Sequence, residues 1–265
     1  MYATSYHRAS SVEEAVGLRG QNDEARYLSG GMTLIATMKQ RLAAPSDLID
    51  LRHIADLRGI AIDGRSVRIG AATPHADVAG SSPLREICPA ICDLAGMIGD
   101  PHVRHMGTIG GSIANNDPAA DYPAAMLGLG ATIITDRRSL SADEFFAGLF
   151  ETALDEGEMV IAVTFEAPEK AGYAKFANPA SRYALSGVFV ARRSGKVRVA
   201  VTGAGADGVF RHAGMEEALE ASWSPEAVAG ALVDEGSMLT DMHANAAYRA
   251  NLVRVMAKRA IIAAG

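Results

Sequence analysis

Two short stretches combine glycines, hydroxyl side chains and few bulky groups: "LSGGMTL" at 28–34 and "GTIGGS" at 107–112. Glycine lets the backbone turn tightly and approach a ligand closely, and successive N–H groups in such turns form a concavity that suits an anion. A helix beginning at the turn adds the positive end of its dipole. Either stretch alone reads as an ordinary tight turn. Two with matching chemistry in one half of a chain favour a nucleotide diphosphate, which needs donors from several directions. The second stretch continues as "IANNDPAADYPAA", adding Asn115, Asp117 and Asp121. Of the two acids, Asp117 is assigned only a structural role.

Other motif-like features carry less. "GAGADG" at 203–208 fits G-x-G-x-x-G and follows a strand-like run. A dinucleotide fingerprint also needs a βαβ unit with an acid after its second strand, and here two helical stretches follow, so a strand-end loop is expected. His102 and His105 in "DPHVRHMG" lack further ligands at zinc-like spacing and read as a polar loop beside a ligand pocket. Cys88 and Cys92, four apart, would share a helix face as buried thiols. Two cysteines are too few for an iron–sulfur cluster, which usually takes four. No nucleophile elbow, Walker A or H-E-x-x-H motif occurs, which removes support for hydrolase and ATPase chemistry.

The elements that must hold the two turns are legible as an α/β pattern. Ser11 and Glu14 form a capping-box signature before the helical "VEEAVGLRG". "ARYLSGG" is a strand entering paired glycines, "TLIATMKQRL" a helix and "DLIDL" a strand. "SVRIGAA" is strand-like, and "HADVAG" to "GMIGD" is mostly helical. "YPAAMLGLGATIITD" is a helix passing into a buried strand. "SADEFFAGLFETAL" is a helix with a second capping box at Ser141 and Glu144, and "EMVIAVTFE" is a strand. Beyond "APEKAG" three strands, "YAKFA", "YALSGVFVARR" and "KVRVAVTGAG", precede two helices. The last helix carries Tyr248, Leu252, Val255 and Arg259 on one stripe.

Composition fits a folded protein of one large or two to three small domains: 49% of residues are hydrophobic and 21% charged. A net charge of -6 argues against nucleic-acid binding as the main role. No apolar run is long enough to span a bilayer, and "MYATSYHRASSVEEA" lacks a signal-peptide core, so a cytoplasmic protein is expected.

The chain resembles the FAD-binding medium subunit of molybdenum hydroxylases, of the carbon-monoxide-dehydrogenase and xanthine-dehydrogenase type. "SGGMTLIATMKQRLAAPSDLIDLRHI", "IGDPHVRHMGTIGGSIANNDPAADYPAA" and "KFANPASRYALSGVFVA" carry the resemblance, which extends over essentially the whole chain. It implies an α+β fold. A two-subdomain FAD-binding α/β domain at 1–168 (subdomains about 1–60 and 61–168) precedes a small α+β domain at 169–265 with a three-stranded antiparallel sheet and helices. Leu28, Ser29, Gly30, Gly31, Met32, Thr33 and Leu34 would hold the FAD diphosphate with Gly107, Thr108, Gly110, Gly111 and Ser112. Asn115, Asp121, Val160, Lys175 and Tyr183 match further flavin-binding positions, the lysine as a cation near the ring. Met32 stands where relatives carry a polar residue, and Arg182 where some carry Asp.

The implied role is electron transfer within a heterotrimer. A large molybdopterin-binding subunit oxidises substrate, a small [2Fe–2S] subunit relays electrons, and this chain's FAD passes them to an external acceptor. A dimer of heterotrimers is implied, cytoplasmic and with association at the inner face of the membrane through the complex. Two rivals differ in class: a self-sufficient FAD-dependent oxidoreductase of the same fold, and a non-catalytic nucleotide-binding or assembly protein.

Overall fold

Three sheets and one two-stranded hairpin organise residues 1–265, all of which the computed structural model describes. β1 (Ser5–Arg8), α1 (Val12–Gly20), β2 (Arg26–Leu28), α2 (Leu34–Lys39) and β3 (Asp47–Asp50) make a parallel sheet in the order β1-β3-β2. Both crossovers are helical, as parallel pairing requires. Ser11 caps α1 by accepting from the Glu14 amide, but the Glu14 carboxylate turns to the Ser10 amide and hydroxyl instead of completing a box with Ser11.

The next stretch contains β4 (Ile60–Asp63), β5 (Ser66–Gly70), α3 (His75–Gly80), α4 (Ser82–Ile87), α5 (Pro89–Gly96), α6 (Pro101–Met106), α7 (Ile109–Asn115) and α8 (Tyr122–Leu129). It continues through β6 (Thr132–Thr135), β7 (Ser139–Ser141), α9 (Ala142–Phe145), β8 (Phe146–Gly148), β9 (Glu151–Thr152) and β10 (Val160–Glu166). Its antiparallel sheet has the order β4-β5-β10-β6-β7, so the strand latest in sequence is central and closes the unit. The capping box at Ser141 and Glu144 forms, yet the expected long helix stops at Phe145 and gives way to the β8–β9 hairpin. Asn116 explains this: its side-chain amide donates to the carbonyls of Gly148 and Glu151, and its own carbonyl accepts from Phe150, fixing a turn that a helix excludes. Cys88 falls between α4 and α5 while Cys92 lies within α5, so they do not share one helix, although both are buried.

The last region is the meander β11 (Lys170–Ala177), β12 (Ala184–Arg193), β13 (Lys196–Thr202) and β14 (Phe210–Arg211), with α10 (Ala213–Ala221) and α11 (Ala246–Ala264). The sheet thus has a fourth, two-residue edge strand beyond the expected three, and "GAGADG" is the loop that precedes it. Strand alternation sends Phe189 and Ala191 into the core that holds α8, and Val188 and Val190 into the core with α10 and α11. Helix α8 lies between layers, and every one of its residues is buried. The buried stripe of α11 runs through Arg249, Val253, Met256 and Ala260; of the expected stripe only Leu252 is buried, while Tyr248 and Arg259 are exposed.

Gly172 on β11 shows how closely α11 packs, because a Cβ there would stand 2.0 Å from the Ala260 carbonyl oxygen. Gly172→Ala is expected to destabilise the protein by about 1–3 kcal/mol and lower Tm by roughly 3–10 °C in a thermal melt. Gly80→Ala, with no atom within 4 Å of the new methyl, should leave Tm within a degree or two.

Candidate cofactor site

The first glycine loop leaves the end of β2 and enters α2; the second joins α6 to α7. They are pressed together. A Cβ on Gly30 would stand 2.1 Å from the Met106 carbonyl oxygen and 2.7 Å from the Gly107 Cα. No side chain fits there, so the approach demands glycine. Beside this contact the hydroxyls of Ser29 and Thr108 hydrogen-bond at 2.9 Å. Thr108 also caps α7, its Oγ1 accepting from the Gly111 amide at 3.1 Å. Gly31 has φ +71°, a left-handed conformation that glycine adopts without strain.

The two loops differ in what their amides do. In the first, the N–H groups of Gly30, Gly31, Met32, Thr33 and Leu34 donate to no protein acceptor. In the second, Ile109 donates to Thr73 O, Gly110 to Ala71 O and Ser112 to Thr108 O, while Gly111 is held by the Thr108 hydroxyl. The expectation that both turns offer backbone donors alike is therefore corrected. Gly110 is tight against Ala71, with 2.5 Å between that residue's Cβ and a Cβ placed on the glycine, so its amide faces the protein. The second loop offers hydroxyls; the first offers amides.

Both loops line a cavity of about 1090 Å³, at the upper end of the size range for clefts that hold small molecules and cofactors. Leu28 through Leu34, Gly107, Thr108, Gly110, Gly111, Ser112, Asn115, Asp121, Val160 and Tyr183 all border it. Lys175 does not: its ammonium is directed to Asp121 at 3.0 Å and to the Met97 carbonyl at 2.9 Å. Asp117, assigned only a structural role from sequence, also borders the cavity while one of its oxygens accepts from the Ala119 amide. His75, Tyr27, Leu154, Glu158 and Met159 are among the other residues of the walls, and no sequence motif marked them. His102 and His105 sit on a helix, not a loop, and do not line this cavity, although Asp100, Val103 and Gly107 beside them do; His105 bonds back to the Pro101 carbonyl.

Residues 2–167 match the family described as the FAD binding domain in molybdopterin dehydrogenase. The chain belongs to that family. It is similar to the carbon monoxide dehydrogenase medium chain of Hydrogenophaga pseudoflava, with 34% identity across 98% of this chain and 96% of that one. The nicotine 6-hydroxylase medium subunit of Paenarthrobacter nicotinovorans shares 32% identity across 99% of this chain and 98% of its own. Among solved structures, a reconstituted CO dehydrogenase from Oligotropha carboxidovorans superposes with a TM-score of 0.88 at 33% identity, covering 99% of this chain and 97% of that chain. The cofactor of this domain is FAD, and the unpartnered amides beside a cavity of this size suit its diphosphate.

The charged walls of this FAD-binding domain are mostly committed. Glu158 is buried, and the Arg138 guanidinium, helped by the Thr135 hydroxyl and the Asp155 amide, holds its carboxyl down at about 2. Asp121 is 5% exposed; Tyr173 donates to one oxygen and Lys175 to the other. Burial pushes the Asp121 carboxyl up, and the lysine and tyrosine oppose it. Asn115, Ser112 and Thr33 keep side-chain groups without protein partners, which leaves them for a ligand.

His75 lies under the second loop, its amide donating to Gly107 O at 2.9 Å and its ring 5.3 Å from that of Tyr122. Burial first, and the nearby Arg104 charge second, lower its pKa to about 4. The unfolded chain protonates this imidazole near its ordinary value while the folded chain does not. Its contribution is therefore complete above about pH 6.5 and is lost as pH falls toward 4, about 3 kcal/mol in all. Melts of the FAD-free protein between pH 7 and 4 should show Tm falling less steeply for His75→Gln than for the wild type; parallel profiles would show the histidine titrates normally.

Proposed function

We propose that this chain is the FAD-carrying electron-transfer subunit of a molybdenum hydroxylase complex. It receives electrons from [2Fe–2S] clusters of a small partner subunit and passes them to an external acceptor. Substrate oxidation belongs to a large molybdopterin-binding subunit. The observation that carries this reading is the row of free amides from Gly30 to Leu34, locked in place against the second glycine loop at the edge of the cavity. Two further observations support it. The relatives are named medium chain and medium subunit, words that belong to chains with larger and smaller companions. Cys88 and Cys92 are two buried thiols, too few to hold a cluster in this chain.

Bound FAD supplies the redox chemistry, exchanging electrons singly with clusters or in pairs with an acceptor. The chain's residues bind and orient it. The amides of Gly30–Leu34 hold the diphosphate, with the Thr108 and Ser112 hydroxyls on its other side. Asn115 anchors a polar edge, Val160 lines one wall, and the half-exposed Tyr183 covers the mouth. Residues 1–168 form the FAD-binding domain, and 169–265 close the cavity through Ala180–Tyr183.

The purified chain should carry a visible flavin spectrum that a chemical reductant bleaches, yet oxidise no substrate until molybdenum and iron–sulfur subunits are added. Full substrate oxidation by this chain alone would overturn the proposal. Gly30→Ala, which drives a methyl into the Met106 carbonyl, should weaken FAD binding at least tenfold in an equilibrium titration.

A further inference from the structure

Asp121, Lys175 and Tyr173 form a buried unit at the wall of the cavity that cofactor binding does not by itself explain. The side chains of Asp121 and Lys175 are 5% and 4% exposed, and their charged atoms lie 3.0 Å apart. Tyr173 donates to the other Asp121 oxygen, and Gly187 makes room for it: a Cβ there would stand 2.4 Å from the tyrosine oxygen. Lys175 also donates to the carbonyl of Met97, at the C-terminal end of α5, where a cation suits the helix dipole. Three layers meet at this point: α5, the start of α8, and β11.

The unit has a direction. Asp121 borders the cavity and Lys175 does not, so the negative end faces the ligand and the positive end lies behind it. Each carboxylate oxygen accepts one hydrogen bond from within the protein, which fixes the group in place at the cavity wall and leaves acceptor capacity on both oxygens.

We propose that the Asp121–Lys175–Tyr173 unit tunes the redox potential of the FAD, with Asp121 as the negative pole beside it. This rests on FAD occupying the cavity as proposed above. A nearby negative charge disfavours adding electrons, and low exposure keeps water from screening it. Asp121 and its two partners are thus positioning residues for charge, not catalytic ones.

Redox titration of the FAD-loaded chain with dithionite and an indicator dye tests this. Asp121→Asn keeps the shape, removes the negative pole and strands the Lys175 charge, so the midpoint potential of the FAD that is bound should rise. Asp121→Asn combined with Lys175→Met removes both charges, and its midpoint should fall between wild type and the single variant. That order supports the proposal. An unchanged midpoint in both variants, measured on the FAD they bind, overturns it. If the single variant does not fold, the charge-balanced double variant decides by lying above wild type or not. Failure of the wild-type chain to bind FAD would be seen first, and would count against the function reading itself.

Discussion

The contact of Gly30 with the Met106–Gly107 backbone is the constraint on which the site depends. It brings the end of a parallel sheet, built from the first fifty residues, against a turn more than seventy residues later. The two backbones touch at Gly30, and the amides of the first loop find no protein acceptors. They stay free along Gly30–Leu34, while those of the second loop are used up holding α7 to the strand end at Ala71 and Thr73. The loop is half-buried to exposed, so these fixed donors face solvent at the cavity edge and are available to a ligand. A phosphate-bearing cofactor has the acceptors that such an array suits.

The rest of the fold holds this contact still. β10, the last strand of its sheet in sequence, sits at its centre and accepts through the Ile161 carbonyl from the amide of Ala71, the residue that also fixes Gly110. α8 follows the second loop into the space between that sheet's helices and the C-terminal meander, where Gly128 admits the ring of Phe189. Asp121 stands at the start of α8, and its links to Tyr173 and Lys175 tie the meander to the cavity wall.

What was legible in the sequence follows the range of the forces involved. The Gly30–Gly31 pair between a strand and a helix, the cap at Ser11 and the apolar run of β12 are local signals, and each produced the element it implied, while the cap at Ser141 opened only a four-residue helix. Family resemblance added the cofactor. The difference between the loops was not legible, because it is set by Ala71 and Thr73, remote in sequence from the amides they receive. The same holds for Asp121, whose partners lie 52 and 54 residues away. The segment after Ser141 has helix-like composition, yet Asn116 makes it a hairpin through three hydrogen bonds from another part of the chain.

Amide hydrogen exchange, compared between FAD-free and FAD-loaded protein, tests most directly whether the first loop holds the diphosphate. Exchange across Gly30–Leu34 should slow strongly on loading, because those N–H groups gain acceptors they lack in the protein alone. Ile109–Ser112, already bonded to protein oxygens, should change little. Protection appearing at 109–112 with none at 30–34 would contradict the assignment of the diphosphate to the first loop.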